Sequence, residues 1–575
     1  MPGLLAIVGR EIDFSRLALK HEAMGPLVSD SQTFPGACLS RFTNPKFLKD
    51  KVFQGDDEVA VALEGVVYNF AQLQQQYGCE DYFQTVKMMY RKKGDTFFKE
   101  FNGDFSGMLY DKAAQRWVMF TNHTGSKPLY FYHADGLFVC SSQFDVVSRV
   151  LRSVGRRFSL DVFGAYCLLS FAFMLEDHTL ISEVKRLKPG HYLTLDQGRV
   201  SVSPYLRFHN TPEVRESKDD IIEHLDVLFR TAVARQYDKD REYGYEHLST
   251  LSGGMDSRTN LWIAYEMGYR PLIALTFAQN NYLDERIAKR IAADMKIEFL
   301  FYSLNHGHYL KPIFRDAVRA NGGLVLFSGA AHLLSALRRV SMRDVGSLHM
   351  GQVGDAVLGS FLQSPRPCKA SFASGAYSPH LLDRIGSEVR SLIEAYESED
   401  TYLMYSRGFN GALNGNWTAY QYTEVASPFM DPEVLDYAMR IPRPLRYQQR
   451  IYLDWLLKKY PGSTRYTWEH AKARPCDPLW WQKVSHLMWQ ARIVLTRNWD
   501  QMSMNPFYHW YKSNEELRNW IDGYWTENHH VLDPYPELKK DCDDLYHQSG
   551  RLFCGPLAAK TQIMTLLEAI KLHWE

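Results

Sequence analysis

The chain is 575 residues long, too long for one ordinary hydrophobic core, so two or three domains are expected. With 45% hydrophobic and 23% charged residues it has the balance of a globular protein and not of a disordered one. Lys+Arg and Asp+Glu stand at 66 each, which gives no electrostatic reason to expect a nucleic acid or an anionic membrane as partner. Eight Cys occur, none in a CxxC spacing, so neither a zinc knuckle nor a dithiol site is suggested. No secretory leader and no run of eighteen or so apolar residues is recognisable, so a cytoplasmic location is expected.

In chain order, the first two hundred residues read as short apolar strands: 3–9, 59–69, 104–111, 116–122, 129–142 and 191–195. Helical stretches at 81–91 and 160–173 intervene. Loose alternation in apolar runs points to sheets buried on both sides, hence a sandwich with helices outside. A polar segment with Pro212 at 207–220 reads as a linker. The rhythm then changes to helix 219–236, strand 245–251, helix 256–267, strand 271–277, helix 284–295 and strand 298–304. Such alternation predicts a parallel α/β sheet. Beyond about Trp480 the chain is aromatic and helical, with no strand signal.

The sharpest motif is Leu251-Ser252-Gly253-Gly254-Met255-Asp256-Ser257, between the first strand of the α/β region and its helix. Glycines allow a tight turn that aims successive N–H groups at an anion, and the helix adds its positive end. Ser252 and Ser257 supply hydroxyl donors. Asp256 is a poor neighbour for bare phosphate unless Mg²⁺ sits between them, so the loop implies a metal–nucleotide complex. A glycine-rich turn with Asp256 as helix N-cap is the bland alternative. A match of this form by chance has a frequency on the order of one in a thousand, and the strand–helix junction is the confirming context.

This loop resembles the pyrophosphate-binding loop of the N-type ATP pyrophosphatases. Three further segments resemble the asparagine synthetase family within that superfamily. In 349–359 (HMGQVGDAVLG), similar to a G-E-G-x-D-E-x-x-G stretch, Gly351 takes a nucleotide-binding place and Asp355 maps to a second Mg²⁺ ligand opposite Asp256. Gln352 stands where the family has a Glu assisting the attacking ammonia; a glutamine amide can orient a nucleophile but not take its proton. In 424–431 (EVASPFMD), similar to E-x-R-x-P-F-L-D, Glu424 joins the catalytic set, while the family Arg is Ala426. In 466–475 (YTWEHAKARP), Lys472 is first choice, and Arg474 second, for the cation that steadies an adenylate.

The N-terminal part resembles the glutaminase half of the same family through 63–73, 101–111 and 121–130. Its chemistry is not kept. Position 2 is Pro where a nucleophilic Cys is expected, the glutamine-holding N-G-E is Glu64-Gly65-Val66, and an R-D pair is Thr121-Asn122. The resemblance therefore implies a degenerate, Ntn-hydrolase-like αββα sandwich over 1–205. A doubly wound parallel ATP pyrophosphatase domain follows over 216–480, then a helical extension over 481–575 packed on it.

The implied reaction uses ATP and Mg²⁺ to adenylate a carboxylate, which ammonia or an amine then attacks, giving an amide, AMP and pyrophosphate. The carboxylate is a small molecule, a sugar acid or a peptide. An intramolecular, ring-closing ligase of the β-lactam or macrolactam kind and a non-catalytic nucleotide sensor are the alternatives. Sulfur transfer to tRNA is disfavoured by the neutral charge and scattered Cys. Nucleic acid and membrane are not expected as partners; a homodimer is left open.

Overall fold

The computed structural model describes residues 3–9, 26–548 and 556–575. Two six-stranded antiparallel sheets make the N-terminal region. The first runs in the order Val184–Arg186, Tyr130–Ala134, Leu137–Ser141, Gly3–Val8, Ala37–Thr43, Val28–Phe34. The second runs Arg199–Pro204, His191–Asp196, Arg116–Thr121, Gly103–Asp111, Val59–Val67, Phe53–Gly55. Alternate side chains face inward to make one core between the sheets, with Leu4, Ala6, Leu39, Met108, Trp117 and Met119 in it. The opposite faces are covered by helices Phe70–Tyr77 and Tyr82–Lys93 on one sheet, and Phe144–Ser153 and Val162–Phe171 on the other. This is the expected αββα sandwich. The run 129–142 divides into a hairpin at Asp135-Gly136, both at positive φ, as a two-residue loop requires.

The second region is a five-stranded parallel sheet in the order Glu298–Ser303, Leu272–Ala278, Glu246–Thr250, Val345–His349, Val425–Ala426. The chain winds outward from Glu246–Thr250 in one direction, then returns to place Val345–His349 on its other side. The order therefore reverses between these two strands. Ligands of open α/β sheets sit in the crevice at the carboxyl ends of strands flanking such a switch point. The carboxyl ends here lead into Leu251–Ser257 and Met350–Asp355.

The C-terminal extension departs from expectation. It does not pack on the α/β region alone: helix Pro556–Trp574 bridges both. His573 hydrogen-bonds Ser148 of the sandwich (2.9 Å) and the Gly322 carbonyl of the α/β region (2.9 Å). Tyr166 donates to Asp541 (2.6 Å). The apolar side chains of this helix, such as Ile563 and Leu567, continue a core that reaches from Leu5 to Leu348. Among the described residues no helix is long and apolar enough to cross a membrane.

Candidate active site at the switch point

The loop after Glu246–Thr250 is held from within. Ser257 Oγ accepts the Ser252 N–H (3.1 Å) and lies 3.0 Å from Ser252 Oγ, which itself accepts the Gly254 N–H (3.1 Å). Helix Asp256–Glu266 begins immediately, with Met255 as N-cap and no side-chain cap bond. Asp256 thus lies inside the first turn, and the reading that makes it a plain N-cap fails. The Gly253 N–H, expected to face phosphate, is already taken by Asp284 Oδ1 at 2.7 Å. Burial and the neighbouring charge of Glu469 push the Asp284 carboxyl up to about 6, against the pull of that N–H.

The second loop comes against the first. The Asp355 N–H donates to Asp256 Oδ2 at 2.9 Å, and Asn260 Nδ2 donates to the Met350 carbonyl at 3.0 Å. Gly351 explains how the two come so close. A Cβ there would lie 2.1 Å from the Asp256 carbonyl carbon and 2.3 Å from the Ser257 nitrogen, so any side chain would force the loops apart. Val353 adopts φ 64°, a left-handed conformation that costs a β-branched residue about 1–2 kcal/mol, and from it the turn at Gly354–Val357 presents Asp355.

Asp256 and Asp355 are thus brought together at the carboxyl edge of the sheet, close enough for the charge of Asp355 to act on the Asp256 carboxyl. Burial, then the charge of Asp355, raise the Asp256 carboxyl well above the ordinary range. A hard divalent cation with oxygen ligands is what such a pair accommodates, so the donor set fits Mg²⁺. The Leu251 side chain is buried behind the loop, in the core between the sheet and helix Leu283–Met295.

Lys472 and Arg474 are separated clearly. The Lys472 side chain is only 7% exposed and donates to Glu469 Oε1 and, at 3.4 Å, to Tyr282. Glu469 in turn sits on the loop, its N–H on the Gly253 carbonyl (2.9 Å). Arg474 is exposed and ion-paired with Asp477 (2.8 Å), away from these contacts. Gln352 is clamped: its Nε2 donates to the Ala412 carbonyl (3.1 Å) and its Oε1 accepts from Asn416. It is a fixed amide.

Glu424 is corrected. Its side chain is 2% exposed and lies between the two regions, paired with Lys127 (2.5 Å) and Lys51 (2.7 Å) of the sandwich and bonded by Asn44. Burial alone would raise its pKa; the two ammonium groups outweigh that and bring it well below the usual 4.5. Glu424 is a structural anchor between regions. Because its folded pKa is depressed, the stabilisation it gives is complete above about pH 4.5 and is lost as pH falls through the depressed value. Glu424→Gln is expected to cost about 3 kcal/mol of stability at neutral pH, since it leaves two buried ammonium groups short of a counter-charge; urea unfolding at pH 7 measures this.

Three contributors escaped the sequence reading. Arg258 is fully buried and its guanidinium donates to four carbonyls: Gly253 (2.9 Å), Thr467 (2.7 Å), Ser463 (3.2 Å) and Tyr466 (3.3 Å). It ties the Leu251–Ser257 loop to the segment bearing Lys472, at the expense of a pKa brought down to about 10 by burial. Asp284 and Tyr282 complete the tie. A charged residue two positions past Asp256, on the inward face of the loop helix, was the available signal for Arg258. Below the site, Asp240 accepts from His247 (2.9 Å), His349 (2.6 Å) and the Ser347 N–H (2.9 Å), pinning the two central strands together in the core.

Both regions match known protein families. A glutamine amidotransferase domain model matches residues 50–206, and an asparagine synthase model matches residues 224–460. One curated relative, a putative glutamine-hydrolysing asparagine synthetase 2 of Methanocaldococcus jannaschii, is 22% identical over 273 residues, covering 45% of this chain and 51% of its own length. A second from that organism, putative asparagine synthetase 1, is 21% identical over 396 residues, covering 67% and 65%. The chain therefore spans about half to two thirds of the length of these relatives. Among solved structures, a glutamine phosphoribosylpyrophosphate amidotransferase from B. subtilis aligns at a TM-score of 0.26 and 10% identity, over 72% of this chain and 94% of that one.

Proposed function

We propose, from the premise that this chain belongs to the asparagine synthetase-like family, that it is an ATP-dependent ligase: it adenylates a carboxylate and transfers the acyl group to ammonia or an amine. One observation carries the reading. Asp256 and Asp355 meet at the switch point, directly beside the Ser252–Ser257 loop.

ATP would lie with its phosphates along Ser252–Ser257, where hydroxyls and the start of the following helix favour anions. Mg²⁺ held by Asp256 and Asp355 would offset the charge of the departing pyrophosphate. Lys472, held in place by Glu469 and Tyr282, supplies a fixed positive charge on the same side of the loop. Gln352 cannot accept a proton at neutral pH, so an amine must arrive neutral or lose its proton to another group. Its clamped amide suits it to orient the incoming groups. Catalysis of this kind is chiefly positioning and charge stabilisation.

The N-terminal sandwich is read as a scaffold that does not hydrolyse glutamine. In the place of the family's glutamine-holding residues stands a packed ionic cluster. Glu64 is 1% exposed, within 3.7 Å of Lys51 and 3.6 Å of Lys127. Asn122 is bonded to Asp104 (3.0 Å) and Ser126 (2.9 Å). Asn122 thus spends its amide on neighbouring side chains, while Glu64 is held by charge alone. Met1 and Pro2 lie outside the described residues. With ¹⁵N-amide glutamine as sole nitrogen source, no glutamate and no labelled amide is expected; stoichiometric glutamate release would contradict the scaffold reading.

The ligase reading is tested by ATP–pyrophosphate exchange across a panel of amino acids, sugar acids and peptides, with and without ammonium. Exchange that depends on one acid, followed by AMP release on adding an amine, is the expected result. Nucleotide binding without exchange for any acid would favour the sensor alternative.

A further inference from the structure

Helix Leu479–Thr496 is inside out. A surface helix of a globular protein ordinarily turns its apolar stripe to the core. In this one, the buried residues are Gln482 and Ile493. At about 100° per residue, these two share one face, and the opposite arc of about 140° holds Trp480, Trp481, Val484, Leu487, Met488, Ala491, Val494 and Leu495. Trp480 is 66% exposed, Leu487 63% and Leu495 83%. Of the sixteen exposed large apolar side chains among the described residues, eight lie on this one helix. Together they make a contiguous surface on the order of several hundred Å², at or beyond what a monomer ordinarily leaves in water.

The charges around the arc are one-sided. Lys483 borders it on one edge and Arg492 on the other, and Arg497 follows at the helix end. From Leu479 to Trp499 there is no Asp or Glu. Basic side chains at the rim of an apolar face rich in Trp and Leu are the pattern of a helix lying in a lipid interface, where stems follow the acyl boundary and charged heads reach the phosphates. The neutral balance of the whole chain hid this local excess.

We infer that the outward face of Leu479–Thr496 seats the protein on an anionic phospholipid surface. A second copy of the chain fits less well. Antiparallel pairing of this helix with itself would set Lys483 of one copy beside Arg492 of the other, with no carboxylate on the helix to answer either. Anionic headgroups answer both, at about 1 kcal/mol for each basic residue near the surface. The helix also touches the candidate active site. Ser485 Oγ donates to the Lys472 carbonyl (2.7 Å), and the Lys472 ammonium lies 5.3 Å from the Trp489 ring centre. The lipid-facing side and the side bracing Lys472 are opposite faces of one rod. The inference stands on exposure and charge and does not depend on the ligase reading.

Co-sedimentation with vesicles tests it. The full chain is expected to sediment with phosphatidylglycerol–phosphatidylcholine vesicles, to bind pure phosphatidylcholine more weakly, and to lose the difference in high salt. Leu487→Glu with Leu495→Glu is expected to lower the bound fraction at least about tenfold, with an unchanged thermal unfolding temperature because neither side chain is buried. Failure of the wild type to bind the anionic vesicles, or equal binding by the double variant, would overturn the assignment. So would a concentration-dependent dimer in sedimentation velocity that the same double variant dissolves, for then the face belongs to a second copy.

Discussion

Asp256→Asn is expected to lower pyrophosphate release by about a thousandfold while leaving the fold at least as stable as the wild type. The two outcomes come from one arrangement. The Asp256 carboxylate is held beside Asp355 in a partly buried place where burial, and then the neighbouring charge, both disfavour its ionised form. An amide removes that charge while keeping an oxygen to accept the Asp355 N–H. The unfolding midpoint should therefore stay or rise, by an amount on the order of 1 kcal/mol. A carboxylate whose role was merely structural would give the opposite pairing, with stability lost and turnover kept. Calorimetry and ATP–pyrophosphate exchange on the same preparation measure both, and wild-type exchange in the variant would remove Asp256 from the metal site.

Arg258→Met is the second large effect, and here stability and turnover should fall together. The guanidinium is the sole side chain seen to donate to the carbonyls of Gly253, Ser463, Tyr466 and Thr467 among the described residues. Methionine fills similar volume but leaves the Ser463, Tyr466 and Thr467 carbonyls without this donor and the Gly253 carbonyl with the Glu469 N–H alone, at about 1–3 kcal/mol for each acceptor that water cannot reach. A loss of about 4 kcal/mol is expected in urea unfolding. Any folded fraction should turn over about a hundredfold more slowly, because the tie that sets Lys472 against the phosphate loop is gone. Arg258→Lys should recover part of the stability through its charge and three donors, yet little of the rate, since an ammonium cannot span carbonyls on two segments. Equal rates for wild type and lysine variant would show that the tie does not position the site.

The parallel sheet and the glycine-rich turn at its strand–helix junction were legible because each rests on local physics: a strand–helix rhythm, and the tight turn that Gly253-Gly254 allows. The expected helix at 256–267 and strand at 298–304 lie within a residue or so of Asp256–Glu266 and Glu298–Ser303. Val345–His349 was not read as a strand. Its letters, Val-Gly-Ser-Leu-His, carry little strand propensity, and the segment is a strand through its pairing with Glu246–Thr250 and Val425–Ala426. Glu424 was misplaced for a related reason. Its partners Asn44, Lys51 and Lys127 come from more than 290 positions earlier in the chain, and nothing near Glu424 announces them. The aromatic residues from Trp480 onward divide between two roles that their letters do not separate: Trp510 is fully buried, whereas Trp480 is largely exposed.

On the proposed function, Asp256 and Asp355 together with the Ser252–Ser257 loop hold a metal–triphosphate at the point where the parallel sheet reverses its order. Crystals grown with Mn²⁺ and a non-hydrolysable ATP analogue test it directly. The expected result is an anomalous manganese peak between the Asp256 and Asp355 carboxylates, with the terminal phosphates along Ser252–Ser257. Clear triphosphate density with the manganese peak elsewhere, or with the two carboxylates turned apart, would contradict it.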